Sequence, residues 1–416
     1  MSTVQPSAAR PIHHRIMTPL RYFLNDSRST GILLIGCTVV SLIISNSGGS
    51  WYTNGWKTHY PTSASLHLPA SPLEWINNFL MAFFFLLAGL EIKRQLTNGE
   101  LSTFKKAILP FGAALGGMLV PAIIYTCFNF YTPHAHGWGI PTATDIAFSI
   151  GIASLLGKRF SVGAKILLMA LAIIDDLGAI VVVALFYGGQ VSGLWLAIAA
   201  ALYGALLACN YLKLKFSALQ VILGFALWYA MLQSGIEASI TGVLFAFAIP
   251  VKDLALIEKY IHKPVNFFIL PLFALANTAI LIPGNIFEAL GTTVSMGVLF
   301  GLVIGKPIGI FLVSRIMVAA KIAHLPSNTS WKQIFGMGTL AGIGFTMSIF
   351  TTMLAFSEER YRDIARISIL LAVVASVVIS LIYFRIVSGK FAVQPHISTT
   401  PQPELQTQPQ SGLTAA

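Results

Sequence analysis

Residues 164–187 read AKILLMALAIIDDLGAIVVVALFY. A helix of this length spans a hydrocarbon core, which takes roughly 20 predominantly apolar residues. Its only charges are Lys165 at the start and Asp175 and Asp176 near the middle. One central charge in a spanning helix costs about 2.5–3.5 kcal/mol on insertion scales, so an adjacent pair calls for a function. The rest of the chain has the same character. Of 416 residues, 56% are hydrophobic and 10% charged, whereas soluble chains carry about 25% charged residues. This composition excludes an ordinary soluble enzyme, a disordered chain, a collagen and a disulfide scaffold.

Apolar segments lie near 31–45, 75–92, 107–130, 142–156, 164–187, 194–211, 218–234, 239–251, 265–282, 293–314, 334–356 and 363–387. They predict an all-α integral membrane protein of about twelve transmembrane helices. Residues 1–30 read as an N-terminal segment with Arg10, Arg15, Arg21 and Arg28 but no apolar signal region, so the run from Gly31 is a first span. Residues 31–387 form the transmembrane unit, and the Pro-, Gln- and Thr-rich stretch within 388–416 reads as a disordered tail. When connections are assigned alternately, 21 of the 26 Lys and Arg fall on one side with both termini and 4 on the other, leaving Lys306 inside a segment. The positive-inside rule then places both termini in the cytoplasm. The net charge of +11 is thereby a topology signal and not a nucleic-acid one. Cys37, Cys127 and Cys209 all sit in apolar runs and read as packing residues. Between Asn46 and Pro72, residues Ala64–Leu68 alternate weakly, as in a short surface hairpin.

Function has to come from the polar groups left inside apolar segments. Asp145 follows Thr142 and Thr144 in IPTATDIAFSIGIA, and Lys306 lies at mid-segment in MGVLFGLVIGKPIGIFLV. Neighbouring carboxylates point about 100° apart on a helix, so one can meet a helical partner while the other faces a cavity. In low dielectric both are not charged at once without a counter-ion, and their oxygens suit hard cations. A site that takes either a proton or a small cation is the core of an exchanger. Gly139–Asp145 and Gly338–Thr346 carry the Pro, Gly and Thr marks of interrupted helices. If segments 3–5 and 10–12 are repeats, their offset of seven crossings is odd, so they are inverted, with two broken helices crossing at the midplane. Segments 3 and 10 both bear small-residue stripes, Gly112/Gly116 and Gly297/Gly301/Gly305/Gly309.

The strings FFFLLAGLEIKR (83–94), PTATDIAFSIG (141–151), LMALAIIDDLGAI (168–180), LPLFALANT (270–278), GLVIGKPIGI (301–310) and GIGFTMSIF (342–350) resemble the NhaA-type sodium/proton antiporters, in the family's order. That family is itself a worked example of inverted repeats, so the repeat principle adds no independent support. The resemblance implies an electrogenic Na+ (or Li+)/H+ antiporter of the bacterial inner membrane, working by alternating access in sodium and pH homeostasis. It implies that Asp175 and Asp176 hold the cation and the proton, and that Asp175 exchanges partners with Lys306. It places Thr144 and Asp145 on an unwound stretch, where Asp145 offsets positive half-helix ends and Lys306 negative ones. Glu91, Arg94 and Glu258 match a cytoplasmic pH-response cluster, and Glu237 is grouped with them as a titrating residue. A homodimer in the lipid bilayer is implied as well, with no cofactor and no nucleic-acid partner.

Three departures stand out. Glu237 replaces a histidine of the family archetype, Gln95 an acid after the Lys-Arg pair, and Asn78 an acid in the second helix. Most of the histidines fall in loops or tails and read as solvated. Enzymatic readings fail on spacing: the Asp pair lacks the further acids of a prenyltransferase, and the Tyr-Asp and Gly-x-Gly-Asp motifs of an intramembrane aspartyl protease are absent. No P-loop exists to drive an ATP-dependent pump. An adjacent Asp pair with a lysine suits occluded competition better than a conduction ring, which disfavours a channel. An ion-coupled organic-solute symporter is the remaining alternative.

Overall fold

A computed structural model describes residues 27–48, 50–60, 67–99, 101–188, 191–212, 214 and 216–387. The N-terminal segment up to residue 26, the tail from 388 and most of the expected hairpin, residues 61–66, lie outside the described residues. Within them every regular element is helical. In chain order these are α1 (Ser27–Asn46), the short α2 (Ser50–Lys57), α3 (Pro72–Asn98), α4 (Phe104–Asn129) and α5 (Ile146–Leu155). A 3-10 segment, Ala135–Thr142, leads into α5. Then come α6 (Val162–Phe186), α7 (Gly193–Tyr211), α8 (Ala218–Ser234), α9 (Ala238–Ala248) and α10 (Val251–Asn277). The series ends with α11 (Ile286–Leu290), α12 (Thr293–Ala319), α13 (Trp331–Ala341), α14 (Phe345–Ala355) and α15 (Glu359–Val387).

Seven of the described helices (α1, α3, α4, α6, α7, α12 and α15) are long and apolar enough to cross a membrane. Two further pairs pass the same test but are bent, α9 with α10 by 105° and α13 with α14 by 49°. The shorter α5 and α8 are apolar too. Helix starts follow the local chemistry. Ser161 caps α6 by accepting from Ala164 N–H, and Ser330 caps α13 by accepting from Gln333 N–H. Ser217 and Gln220 close a capping box on α8, whose far end stops at Gly235 with φ +82°. The expected ninth segment, 265–282, sits differently. Its helix starts earlier, in the amphipathic run LALIEKYIHKP, and stops at Asn277.

Two long helices form the spine. On α4 and α12 the glycine stripes face each other in antiparallel order: a Cβ on Gly116 would collide with the backbone of Gly309, and one on Gly309 with that of Gly116. Farther along, a Cβ on Gly305 would lie 3.0 Å from Pro121, and one on Gly297 2.7 Å from Tyr125. Bare backbone at these positions lets the axes approach as any side chain would forbid. Midway, α12 widens into a π-turn, Gly301–Gly305, just before Lys306. Such turns cluster at functional sites, and hydropathy does not register them.

Candidate functional site

The chain comes apart in two places that meet. Residues 143–145 separate the 3-10 segment from α5, and 342–344 separate α13 from α14. The two unwound stretches are joined by a hydrogen bond from Asp145 N–H to Ile343 O at 2.7 Å. Gly344 makes the approach possible, since a Cβ there would stand 3.0 Å from Ala143 O and against Ser348 Oγ. Pro141, Gly342 and Gly344 thus produce the interruptions predicted at these positions.

Asp145 serves both α-helical halves at once. Its Oδ1 accepts from Phe148 N–H at 2.9 Å, capping α5. Its Oδ2 accepts from the Thr346 N–H at 3.1 Å and hydroxyl at 2.7 Å, at the start of α14. One carboxylate therefore meets the positive ends of two facing half-helices. Thr144 lies on the other side of the same stretch. Its hydroxyl is 2.9 Å from Ala341 O, a terminal carbonyl of α13, and 2.7 Å from Asp175 Oδ2. Lys306 Nζ donates to Thr144 Oγ1 and to Asp175 Oδ2, each at 2.5 Å. Lys306 and Asp175 are both fully buried, forming an ion pair at the bundle centre.

Asp176 is different. It is buried at 3% exposure, and its Oδ1 has no hydrogen-bond partner. The Oδ1 of Asp175 is also unpartnered. Buried polar atoms are rarely left so, and oxygens on adjacent carboxylates have the chemistry to take a proton or a hard cation. The structure thus brings Thr144, Asp145, Asp175, Asp176 and Lys306 into one neighbourhood. Thr346, which supplies two of the three hydrogen bonds to Asp145, was not singled out from sequence. Its signal was there, as the first polar residue after the glycine break in GIGFTMSIF.

The four expected pH-response residues divide. Arg94 Nε lies 3.2 Å from Glu258 and Arg94 Nη2 3.5 Å from Glu91, uniting the end of α3 with α10. Beside them Lys93 Nζ donates to Phe247 O at 2.7 Å and Ile249 O at 2.5 Å, capping the C-terminal end of α9. Glu237 is not with this group. It precedes α9, accepting from Ser239 N–H at 3.3 Å, in a cavity with Asn78 and Arg362. Asn78 lies near the start of α3 and Arg94 near its end. At 1.5 Å rise per residue these are opposite ends of the bundle.

Comparison with known proteins settles the kinship. The sequence profile described as Na+/H+ antiporter 1 matches residues 21–384. The chain belongs to this family. A Na+/H+ antiporter NhaA 1 of Clostridium beijerinckii is 44% identical over 391 residues, 91% of this chain and 98% of the relative. A Na+/H+ antiporter NhaA of Flavobacterium psychrophilum is 47% identical over 358 residues, 84% of this chain and 91% of the relative. One from Escherichia coli O1:K1 / APEC is 41% identical over 382 residues, covering 89% and 98%. Membership in the Na+/H+ antiporter 1 family thus extends over nearly all the described helices.

Proposed function

We propose that this protein exchanges Na+ or Li+ for protons by alternating access, with Asp176 and Asp175 as the shared cation and proton site. The observation that carries the reading is the pair of unpartnered oxygens, Asp175 Oδ1 and Asp176 Oδ1, beside the crossing of two broken helices. A hard cation is held there by carboxylate oxygen, and a proton competes for the same atoms. On cation binding, Asp175 turns from Lys306 toward the ion; on cation loss, the pair at 2.5 Å re-forms. More than one proton enters per cation expelled, so the cycle moves charge. Thr144 and Asp145 hold the crossing, with Asp145 and Lys306 offsetting opposite half-helix ends. Glu91, Arg94 and Glu258 form a charged cluster at one mouth that responds to pH.

The reading includes twelve crossings. To the seven long helices it adds α8, the bent pair α13 and α14, the 3-10 segment with α5, and α9 and α10 as separate crossings either side of their 105° bend. It takes segments 3–5 and 10–12 as inverted repeats, supported by the antiparallel glycine contact of α4 with α12 and by one interruption in each set. It places the protein in the bacterial inner membrane with both termini inside, supported by the 21-to-4 distribution of basic residues. Residues 31–387 carry the transport unit, and the homodimer rests on family membership.

The test is the collapse of a pH gradient in everted vesicles on adding Na+, Li+ or K+. Wild type is expected to respond to Na+ and Li+, while Asp176→Asn is silent yet elutes as a folded protein. Unchanged transport in Asp176→Asn, or loss of its fold, refutes the site. No response of wild type to any alkali cation moves the organic-solute symporter to the front.

A further inference from the structure

Two of the sequence departures meet in space. Asn78, which stands where the family archetype has an acid, and Glu237, which stands where it has a histidine, line one cavity of about 430 Å³. The cavity lies at the end of the bundle opposite Arg94. It is walled by α3, the approach to α9, α14 and α15. Among its lining residues are Asn77 and Phe350. Phe350 lies four residues, about 6 Å along α14, from Thr346, which holds Asp145. The cavity therefore reaches to about one helical turn from the crossing.

Its charges are nearly all matched. Lys57 pairs with Glu359, and Arg366 pairs with Asp363 at 3.0 Å. Arg362 donates to Phe356 O at 2.6 Å and to Met353 O at 3.1 Å, so its charge faces the negative end of α14. Glu74 accepts from Ala70 N–H at 2.7 Å and stands in the first turn of α3, at that helix's positive end. His59 adds an imidazole to the wall. The Glu237 carboxylate forms no ion pair among the described residues and is held only by the neighbouring Ser239, whose N–H lies 3.3 Å away.

Resting on the exchange reading above, we propose that Glu237 is the carboxylate that coordinates the transported cation in this vestibule, between the crossing and the bundle surface. Glu237 and Asn78 face the same cavity, so an acid at either position presents its carboxylate to the same space. A carboxylate in contact with a monovalent cation in a partly hydrated cavity shifts its apparent affinity about tenfold.

The experiment measures the apparent KM for Na+ separately at the two faces, in vesicles of opposite orientation. Glu237→Gln is expected to raise KM about tenfold at the vestibule face and leave the other face unchanged. Adding Asn78→Asp to Glu237→Gln returns KM to within about threefold of wild type, since the acid is restored across the same cavity. Glu237→Asp, which keeps the charge, checks that the fold tolerates change at this position. An unchanged KM, an equal rise at both faces, or a double variant no better than Glu237→Gln each overturns the proposal. Wild type without exchange removes the parent reading and this one with it; wild type that exchanges while Glu237→Gln is unaffected removes only this one.

Discussion

Lys306→Ala removes the cation of a fully buried ion pair. Lys306 reaches Asp175 Oδ2 and Thr144 Oγ1, both at 2.5 Å, and its loss leaves Asp175 with the Thr144 hydroxyl at 2.7 Å alone. Asp175 has no exposed surface in the intact protein. Breaking such a pair from one side costs about 3–5 kcal/mol, chiefly the stranding of the remaining charge. An unfolding entropy of about 2.1 cal/mol/K per residue gives a chain of this size roughly 0.9 kcal/mol/K, so the melting temperature falls by about 3–6 °C. The assay is thermal unfolding of the detergent-purified protein followed by size-exclusion fluorescence. Lys306→Ala combined with Asp175→Asn removes the stranded charge as well and is expected to recover at least half of the loss. A single variant that melts with wild type, or a double variant no better than the single, refutes the argument that Lys306 holds Asp175 charged.

Two further perturbations test the scaffold around the site. Asp145→Ala deletes the acceptor of Phe148 N–H, Thr346 N–H and the Thr346 hydroxyl, uncapping α5 and α14 together. With each lost cap worth about 0.5–2 kcal/mol, stability falls by about 1–4 kcal/mol and Asp145→Asn by less, read as denaturation midpoints in detergent. Gly309→Val drives a side chain into the backbone of Gly116, which no rotamer change relieves, and is expected to lose about 1–3 kcal/mol or the folded state altogether. Gly204→Ala, on α7, has open space around the added Cβ and is the control, expected to keep its stability or gain up to about 1 kcal/mol by the same melting assay.

Much of this arrangement is legible along the chain because its causes are local. A hydrocarbon solvent forces long apolar runs, so most spans coincide with their hydropathy segments, and Pro141, Gly342 and Gly344 mark both interruptions. The buried charges are equally visible, since the Asp175–Asp176 pair and Lys306 each interrupt an otherwise apolar run. What hydropathy does not register is set by partners far away in sequence. Asn77 and Asn277 form an amide pair, with Asn277 Nδ2 donating to Asn77 Oδ1 at 2.9 Å across a sequence separation of 200 residues. The π-turns at Ile76–Leu80, Val265–Ile269 and Gly301–Gly305 lie within otherwise continuous helices. The end of the bundle on which a loop acid lies is likewise a property of the assembled fold, which is why Glu237 groups with Arg94 in sequence reasoning and with Asn78 in the structure.

The charges at the crossing close on one another with a single exception. Asp145 answers the positive ends of α5 and α14, and Thr144 touches a terminal carbonyl of α13 while receiving the Lys306 ammonium. Lys306 is in turn balanced by Asp175. At the crossing, the starts of α5 and α14, Lys306 and Asp175 each have a partner of opposite sign within hydrogen-bond reach. Asp176 has none among the described residues: its Oδ1 is buried and unpartnered, and it forms no ion pair there. A buried carboxylate in this position does not remain bare, because the desolvation of an isolated charge is far larger than any packing gain nearby. In the exchange proposed above, its counter-ion comes from outside the protein, as a proton or a small cation. Under that proposed exchange, the requirement couples the two fluxes: one carboxylate cannot be neutralised twice, so each species leaves only as the other takes its place.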